Sequence, residues 1–158
     1  MIRWATDRIA VGGVHDALDW QGLLRDDITG VISLDWFPLV APTTQLLWLR
    51  RPPVDGRGNS IQALMDALEA LDSLLASCPR VLVHCREGVS RSPFVTACHL
   101  SRESGGSFLD VLPALSARLG FVLINKGLIE LAAEWEARFI PSILRTDTDL
   151  SKPKCSPD

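Results

Sequence analysis

A stretch near the middle of the chain, from Val81 to Ser92, most limits what this sequence can fold into. It begins with the apolar run Val81-Leu82-Val83, which is typical of a strand that is buried on both faces of a sheet. Gly88 and Ser90 then indicate a turn. Ser92-Pro93 indicates the N-cap and the first residue of a helix, because proline lacks the N–H group that is unpaired there. The stretch therefore predicts a strand, a tight loop and a helix.

Two residues of this stretch carry chemistry, and they lie where the predicted loop begins and ends. Cys85 follows the strand, and Arg91 comes after five further residues, at the start of the helix. Such a loop can turn backbone N–H groups inward to bind an anion, and the helix N-terminus adds the positive end of its dipole. The same field stabilises a thiolate, and a guanidinium matches two oxygens of a phosphate. We therefore predict that Cys85 is a nucleophile within a cradle for a tetrahedral anion.

The motif that runs from His84-Cys85 through five residues to Arg91-Ser92 resembles the signature of cysteine-dependent protein tyrosine phosphatases. Its surroundings are most similar to the compact dual-specificity branch, because Gly88 lies within the loop and a strand and a helix flank it. The resemblance extends over roughly residues 8 to 140. It implies a dual-specificity phosphatase that hydrolyses phosphate monoesters through a phosphocysteine intermediate, without a cofactor or a metal.

The resemblance also implies a role for each residue of the motif. Cys85 would attack phosphorus, while Arg91 and the loop amides would hold the equatorial oxygens. His84 would orient and tune Cys85, and Ser92 would donate a hydrogen bond to the sulfur. The last role competes with the predicted N-cap role of the same hydroxyl, and we favour the contact with sulfur. The residues expected to surround the phosphate are Arg86, Glu87, Gly88, Val89, Ser90 and Arg91.

A second loop, residues 50–59, supplies the candidate general acid. Two prolines followed by two glycines indicate a chain that is stiff on entry and mobile on exit. Asp55 precedes Cys85 by 30 residues, close to the spacing of the general acid in the resembling family. The alternative is that Asp55 is a turn residue without chemistry. Asp35 is also a candidate acid, but we interpret it as a strand-end or turn carboxylate.

Three arginines of the same region leave two interpretations open. They either flank the mouth of the site and attract anionic substrates, or are solvated loop charges. These residues are Arg50, Arg51 and Arg57.

The remaining pattern predicts one α/β domain, with a central, mainly parallel sheet flanked by helices. The chain has 158 residues, of which 47% are hydrophobic, and this is enough for one core. We predict strands over residues 9–13, 30–35 and 46–49, and helices over residues 17–24, 61–77 and 93–102. The domain would cover residues 1–141 and end at Pro141, and residues 142–158 would form a flexible polar tail.

Several helix ends have recognisable signals. Asp16 is the predicted cap of the first helix, and Asn125 is the predicted cap of the last. Ser107-x-x-Asp110 resembles a capping box, but a helix that begins there would contain Pro113 in its interior. We therefore prefer a start at Asp110, or a kinked helix. The predicted inner face of the last helix consists of Leu128, Leu131, Trp135 and Phe139.

Composition excludes several partners. The net charge of −3 gives no basic surface for nucleic acid, and the sequence has no apolar run of transmembrane length and no signal-peptide segment. We expect a cytoplasmic monomer without integral membrane association. His99 is interpreted as a core or boundary histidine, and no residue cluster has metal-binding spacing. Besides Cys85, the cysteines expected to be free thiols are Cys78, Cys98 and Cys155.

The substrate is predicted from the resemblance and from one absence. The chain has no Tyr, so it lacks the tyrosine that deepens the pocket of tyrosine-specific relatives. A shallow site is therefore implied. Such a site suits phosphotyrosine and phosphoserine or phosphothreonine of proteins. A phosphoinositide or another non-protein phosphate monoester is the alternative; Arg86 favours it and Glu87 argues against it.

Two further interpretations come from other classes of protein. An inactive phosphate-binding module would lack the nucleophile, the arginine or the acid, whereas this chain has candidates for all three. A sulfurtransferase of the rhodanese type also has a cysteine in an anion-binding loop. The flanking His84 and Ser92 and the loop of Asp55 favour a phosphatase.

Overall fold

The structure, a computed structural model, describes residues 1–37 and 41–146, with side chains as far as Phe139. Its elements in chain order are β1 (Arg3–Trp4), β2 (Ile9–Gly12), α1 (Val14–Leu18), α2 (Trp20–Arg25), β3 (Ile28–Ser33), β4 (Leu47–Arg50), α3 (Ile61–Ser77), β5 (Arg80–His84), α4 (Arg91–Ser104), α5 (Phe108–Leu119) and α6 (Lys126–Thr146). None of the helices in the described ranges is both long and apolar enough to span a bilayer.

The five strands form one sheet in the order β1-β2-β5-β3-β4, in which only β1 is antiparallel to its neighbour. The predicted α/β fold with a central, mainly parallel sheet is therefore confirmed. In the register of the sheet, His84 at the end of β5 lies beside Gly12 of β2 and Ser33 of β3. Because the carboxyl ends of parallel strands meet at one edge, loops that follow these strands converge there.

Helices cover both faces of the sheet. Along β5, Val81 and Val83 pack into a large core with helices α3 to α6, whereas Leu82 packs into a smaller core with α1 and α2. All three side chains are completely buried. Burial of each contributes about 1.5–3 kcal/mol, so β5 is a rigid support for the residues that follow it.

Helix α4 begins earlier than predicted. Its N-cap position is Ser90 and its first residue is Arg91, so the assignment of Ser92 as the N-cap is wrong. Pro93 is the third helical residue, still within the first turn, where a missing N–H group costs little. This start releases the hydroxyl of Ser92 from capping.

The predicted helix over residues 17–24 is two short helices. The N-cap of α1 is Gly13 and not Asp16 as predicted; Asp16 is the third helical residue and accepts a hydrogen bond from the Gly13 N–H group at 2.9 Å. Asp19 interrupts the helix and accepts a hydrogen bond from Gly22 N–H at 3.0 Å, which begins α2. A side chain that caps a new N-terminus therefore separates the two helices.

The preferred start of α5 at Asp110 is wrong as well. The helix begins at Phe108, and Ser107 and Asp110 form the capping box that the sequence suggested. Pro113 lies inside the helix. Its missing N–H group leaves the carbonyl of Leu109 without an intrahelical partner, but both residues are exposed, so water can bind this carbonyl.

The last helix has the predicted cap, since Asn125 Oδ1 accepts a hydrogen bond from Gly127 N–H at 2.9 Å. Of the predicted inner face, Leu128, Leu131 and Trp135 are buried, whereas Phe139 is 37% exposed. The backbone of α6 continues past Pro141 to Thr146, into the segment predicted as a polar tail. The predicted tail from residue 147 onward, including Cys155, lies outside the described residues.

Candidate active site

Cys85 lies at the bottom of the loop that joins β5 to α4. Its residue is only 2% exposed. The sulfur accepts a hydrogen bond from Gly88 N–H at 3.3 Å and lies 3.2 Å from Ser92 Oγ. One backbone donor and one hydroxyl group are therefore in contact with Sγ.

Four carbonyl groups of this loop are turned outward, toward neighbouring elements. The carbonyls of Arg86, Gly88, Val89 and Ser90 accept hydrogen bonds from Val14 N–H, the Arg3 guanidinium, Leu123 N–H and Phe94 N–H, respectively. In a trans peptide the N–H group points away from the preceding carbonyl, so the N–H groups that follow turn toward the centre of the loop. N–H groups turned inward in this way are what a backbone nest for an anion requires.

Gly88 makes this loop shape possible. Its φ angle is +77°, in the left-handed region that glycine tolerates. A Cβ atom at this position would lie 2.6 Å from the backbone carbon of Gly12. The loop and the turn after β2 therefore pack backbone against backbone.

Arg91 is partly buried, with 11% of its side chain exposed, and it forms hydrogen bonds with the end of β3. Its Nη1 donates to the carbonyl of Leu34 at 2.7 Å, and its Nη2 donates to Asp35 Oδ2 at 2.9 Å. Its Nε has no hydrogen-bond partner among the described residues. One edge of the guanidinium, formed by Nε and Nη2, is therefore available for two oxygens of a phosphate.

Asp35 lies at a strand end, as interpreted from the sequence, but it also binds two arginines of the site, which the sequence did not indicate. It is 4% exposed, and its Oδ1 lies 3.1 Å from Arg86 Nη2 and accepts from Phe37 N–H at 3.0 Å. Burial by itself raises the pKa of Asp35, but the hydrogen bonds from Phe37 and Arg91 and the charges of Arg91 and Arg86 outweigh it and lower the pKa below its ordinary value. Asp35 is therefore a carboxylate at neutral pH.

The structure brings Asp55 to the same site. Its Oδ1 accepts a hydrogen bond from Ser90 Oγ at 2.6 Å, and its Oδ2 lies 3.9 Å from Arg91 Nε. The side chain is 43% exposed, so it remains open to a substrate. The Ser90 hydroxyl also accepts from Asn125 N–H at 3.2 Å, and it thereby connects the Asp55 loop to the start of α6.

The Asp55 loop is held in place by contacts that the sequence did not reveal. The side-chain amide of Asn59 bonds both the N–H group and the carbonyl of Val54, at 2.7 and 2.8 Å. Arg57 forms two hydrogen bonds of 2.9 Å with Glu130 of α6. Arg57 therefore fastens the loop to α6 instead of being an unpaired solvated charge.

Arg50, which also had two open interpretations, donates to the carbonyl groups of Asp35 and Trp36. It supports the turn that carries Asp35. Arg51 donates to the carbonyl of Arg50 and is exposed.

His84 is completely buried and lies behind Cys85. Its Nδ1 is 3.2 Å from the Cys85 carbonyl oxygen, and its ring meets the Trp48 ring edge-on with the centroids 5.7 Å apart. Burial lowers the pKa of His84 to about 4. The imidazole is therefore neutral at pH 7, and since a carbonyl oxygen can only accept, Nδ1 carries the proton.

The other predicted loop residues present mainly backbone to the nest. The side chains of Arg86 and Glu87 are exposed, and Val89 is half-buried. Arg3, which sequence reasoning did not single out, donates to the Gly88 carbonyl as well as to Leu119 and Phe121, and it ties the loop to the segment before α6. Neither Arg3 nor Asp35 belongs to a motif, so only their spatial contacts identify them.

The chain was compared with known proteins by sequence and by fold, and both comparisons find similarity to dual-specificity phosphatases. The chain is 25% identical over 133 residues to dual specificity protein phosphatase 5 of Rattus norvegicus, covering 84% of this chain and 35% of that protein. It is 28% identical over 126 residues to dual specificity protein phosphatase MPK-4 of Drosophila melanogaster, covering 75% of this chain and 32% of that protein. The chain thus spans about a third of the length of these relatives. No protein-family model matches it.

Among solved structures, a mouse putative dual specificity phosphatase complexed with zinc tungstate has a TM-score of 0.81 at 19% identity, covering 90% of this chain and 91% of that one. The predicted resemblance to the cysteine-dependent protein tyrosine phosphatase superfamily is therefore confirmed. Within that superfamily, the similarity is to the dual-specificity branch.

Proposed function

We propose that this chain is a cysteine-dependent phosphatase that hydrolyses phosphate monoesters through a phosphocysteine intermediate. The observation that supports this most directly is the arrangement of three groups around one loop. Gly88 N–H points at Cys85 Sγ, Arg91 of the same loop has an Nε without a hydrogen-bond partner among the described residues, and the carboxyl group of Asp55 lies 3.9 Å from that Nε. A phosphate monoester bound between them would have a nucleophile next to it and, when Asp55 is protonated, a proton donor.

In the first step, Cys85 Sγ attacks phosphorus in line with the ester oxygen. The phosphorus–sulfur bond forms as the bond between phosphorus and the ester oxygen breaks, and protonated Asp55 gives its proton to the leaving oxygen. Arg91 and the loop amides bind the three equatorial oxygens, on which charge is redistributed in the transition state. The products are a free alcohol or phenol and a phosphocysteine.

In the second step, Asp55 takes a proton from water, and the water oxygen attacks phosphorus. The phosphorus–sulfur bond breaks and inorganic phosphate is released. The hydroxyl of Ser92, 3.2 Å from Sγ, is placed to donate to the departing thiolate. Neutral His84 donates to the Cys85 carbonyl and so fixes the backbone that carries the sulfur.

Proteins with phosphotyrosine and with phosphoserine or phosphothreonine are the proposed substrates. Arg86, the loop residue that would favour a phosphoinositide, has its guanidinium 3.1 Å from the buried carboxylate of Asp35. Its charge is therefore partly offset within the protein, by a carboxylate that it shares with Arg91. The neighbouring exposed side chain, Glu87, is negative and disfavours a polyanionic headgroup.

A substrate panel tests this proposal. The wild-type protein is expected to hydrolyse a small aryl phosphate in excess chelator, and Cys85→Ser is expected to abolish turnover while inorganic phosphate still binds. Phosphotyrosine and phosphothreonine peptides should be hydrolysed faster than phosphoinositides under identical conditions, and the reverse order would assign a lipid substrate. Binding of phosphate without turnover by the wild type would indicate an inactive module, and thiocyanate formation from thiosulfate and cyanide would indicate a sulfurtransferase.

A further inference from the structure

Two consecutive residues at the end of β3, Leu34 and Asp35, accept hydrogen bonds from Arg91. The Leu34 carbonyl accepts from Nη1 at 2.7 Å, and Asp35 Oδ2 accepts from Nη2 at 2.9 Å. Together they hold the guanidinium by the end that is farthest from its own backbone. The other oxygen of Asp35 lies 3.1 Å from Arg86, so one buried carboxylate is shared between the arginines at the two ends of the loop.

This grip decides which edge of Arg91 faces the substrate. A guanidinium has five N–H groups in one plane and can present them in pairs. Because Nη1 and one N–H of Nη2 are bound to β3, the pair that remains is Nε–H with the second N–H of Nη2. Nε is buried and has no hydrogen-bond partner among the described residues, as expected of a donor that is reserved for a ligand.

If Asp35 only stabilised the turn after β3, it would not need its contacts with Arg86 and Arg91. The hydrogen bond from Phe37 N–H to Oδ1 is enough to hold the turn after β3. The two arginine contacts instead connect this turn to Arg86 and Arg91, which lie 51 and 56 positions farther along the chain. The carboxylate balances one of the two arginine charges, so the cluster of three side chains keeps one positive charge for the phosphate.

We propose that Asp35 is a positioning residue that acts through Arg91: it holds the guanidinium end-on so that the edge formed by Nε and Nη2 meets the phosphoryl oxygens in the transition state. This proposal rests on the proposed phosphatase function. It assigns Asp35 no contact with the substrate and no proton transfer. Its effect is therefore expected in kcat and not in ground-state binding.

The direct test is Asp35→Asn, which keeps the size of the side chain but removes the charge and one acceptor oxygen. We expect kcat for an aryl phosphate to fall roughly 10- to 100-fold, since small misplacements of a group that binds the transition state have effects of this size. KM and the inhibition constant of inorganic phosphate should change less than about threefold, because removal of a negative charge does not weaken the binding of an anion. The matched control is Asp72→Asn, which removes a carboxylate 2.6 Å from Arg102 and is expected to leave kcat unchanged.

The same substitution in an Arg91→Lys background separates positioning from a general defect in folding. Lysine has no planar fork to orient, so Asp35→Asn should cost less than about twofold there. An equal loss in both backgrounds would overturn the proposal, because a folding defect acts on each alike. Unchanged kcat of Asp35→Asn beside an active wild type would overturn it as well.

A binding experiment keeps this proposal distinct from the proposed function. Orthovanadate adopts the five-coordinate geometry of phosphoryl transfer, whereas inorganic phosphate represents the ground state. If the wild type shows no turnover, the phosphatase proposal fails, but the effect of Asp35 on Arg91 can still be measured by thermal shift with these two anions. Asp35→Asn should then weaken binding of orthovanadate at least several-fold more than binding of phosphate, and equal effects on both would overturn the inference.

Discussion

The buried imidazole of His84 should make the stability of this protein depend on pH in a defined range. Burial lowers the pKa of His84 from 6.5 to about 4 in the folded chain, so the unfolded chain binds the proton more tightly. Stability is therefore complete above pH 6.5 and falls as the pH is lowered toward 4. At 1.36 kcal/mol per pH unit, the part of this range down to pH 5 corresponds to a loss of about 2 kcal/mol.

Urea unfolding at pH 7.5 and pH 5 measures this effect, and His84→Gln isolates it. Glutamine can still donate to the Cys85 carbonyl but does not titrate, so the variant should lose about 2 kcal/mol less than the wild type between the two pH values. His99, whose pKa is also lowered by burial, remains in both proteins and cancels in the comparison. The same pH dependence in the wild type and in His84→Gln would refute the argument that His84 is buried in its neutral form.

Three other predictions concern the acid, the thiol and the loop. Asp55→Asn should reduce turnover about 10²- to 10⁴-fold on substrates with a poor leaving group, and it should flatten the alkaline limb of the pH profile. With an activated phenyl phosphate, the phosphorylation step should slow much less. An unchanged leaving-group dependence would exclude Asp55 as the acid. Iodoacetamide should modify Cys85 before Cys98, because burial and the charge of Glu136 raise the pKa of Cys98, and phosphate should protect only Cys85. Mass spectrometry that finds the opposite order would contradict the activated thiol. Gly88→Ala should destabilise the fold by about 1–3 kcal/mol and abolish activity. Gly58→Ala should retain activity, because Gly58 also has a positive φ but no atom lies within 4 Å of the added methyl group. Equal activity of both variants would show that the close contact between Gly88 and Gly12 is not required.

The parts of the fold that follow from neighbouring residues could be predicted from the sequence. Asn125 caps the last helix as predicted, and the helix predicted over residues 61–77 is present and packs into the core. The error at Pro113 has a physical origin, because the cost of a proline inside a helix depends on whether the freed carbonyl can reach water. Exposure of that kind is a property of the folded molecule.

In the candidate active site too, contacts within one segment could be predicted, whereas contacts between distant segments could not. Cys85 and Ser92 lie within one short segment, and the contact predicted between their side chains is present at 3.2 Å. Asp35 and Arg3 reach the loop from positions 56 and 85 residues away from their partners, and no local pattern records such contacts. Sequence reasoning identified the groups that would react with a phosphate and missed the groups that hold them.

The contact between Gly88 and Gly12 also divides the loop into positions that can and cannot vary. At Gly88 a side chain of any size would collide with the neighbouring backbone, and the nest would lose its shape. At Glu87 and Val89, by contrast, the side chains are exposed and half-buried, respectively. A change of substrate range, whether through evolution or in the laboratory, can therefore proceed by substitution at these two positions without rebuilding the loop, whereas Arg86 is tied to Asp35 and through it to Arg91.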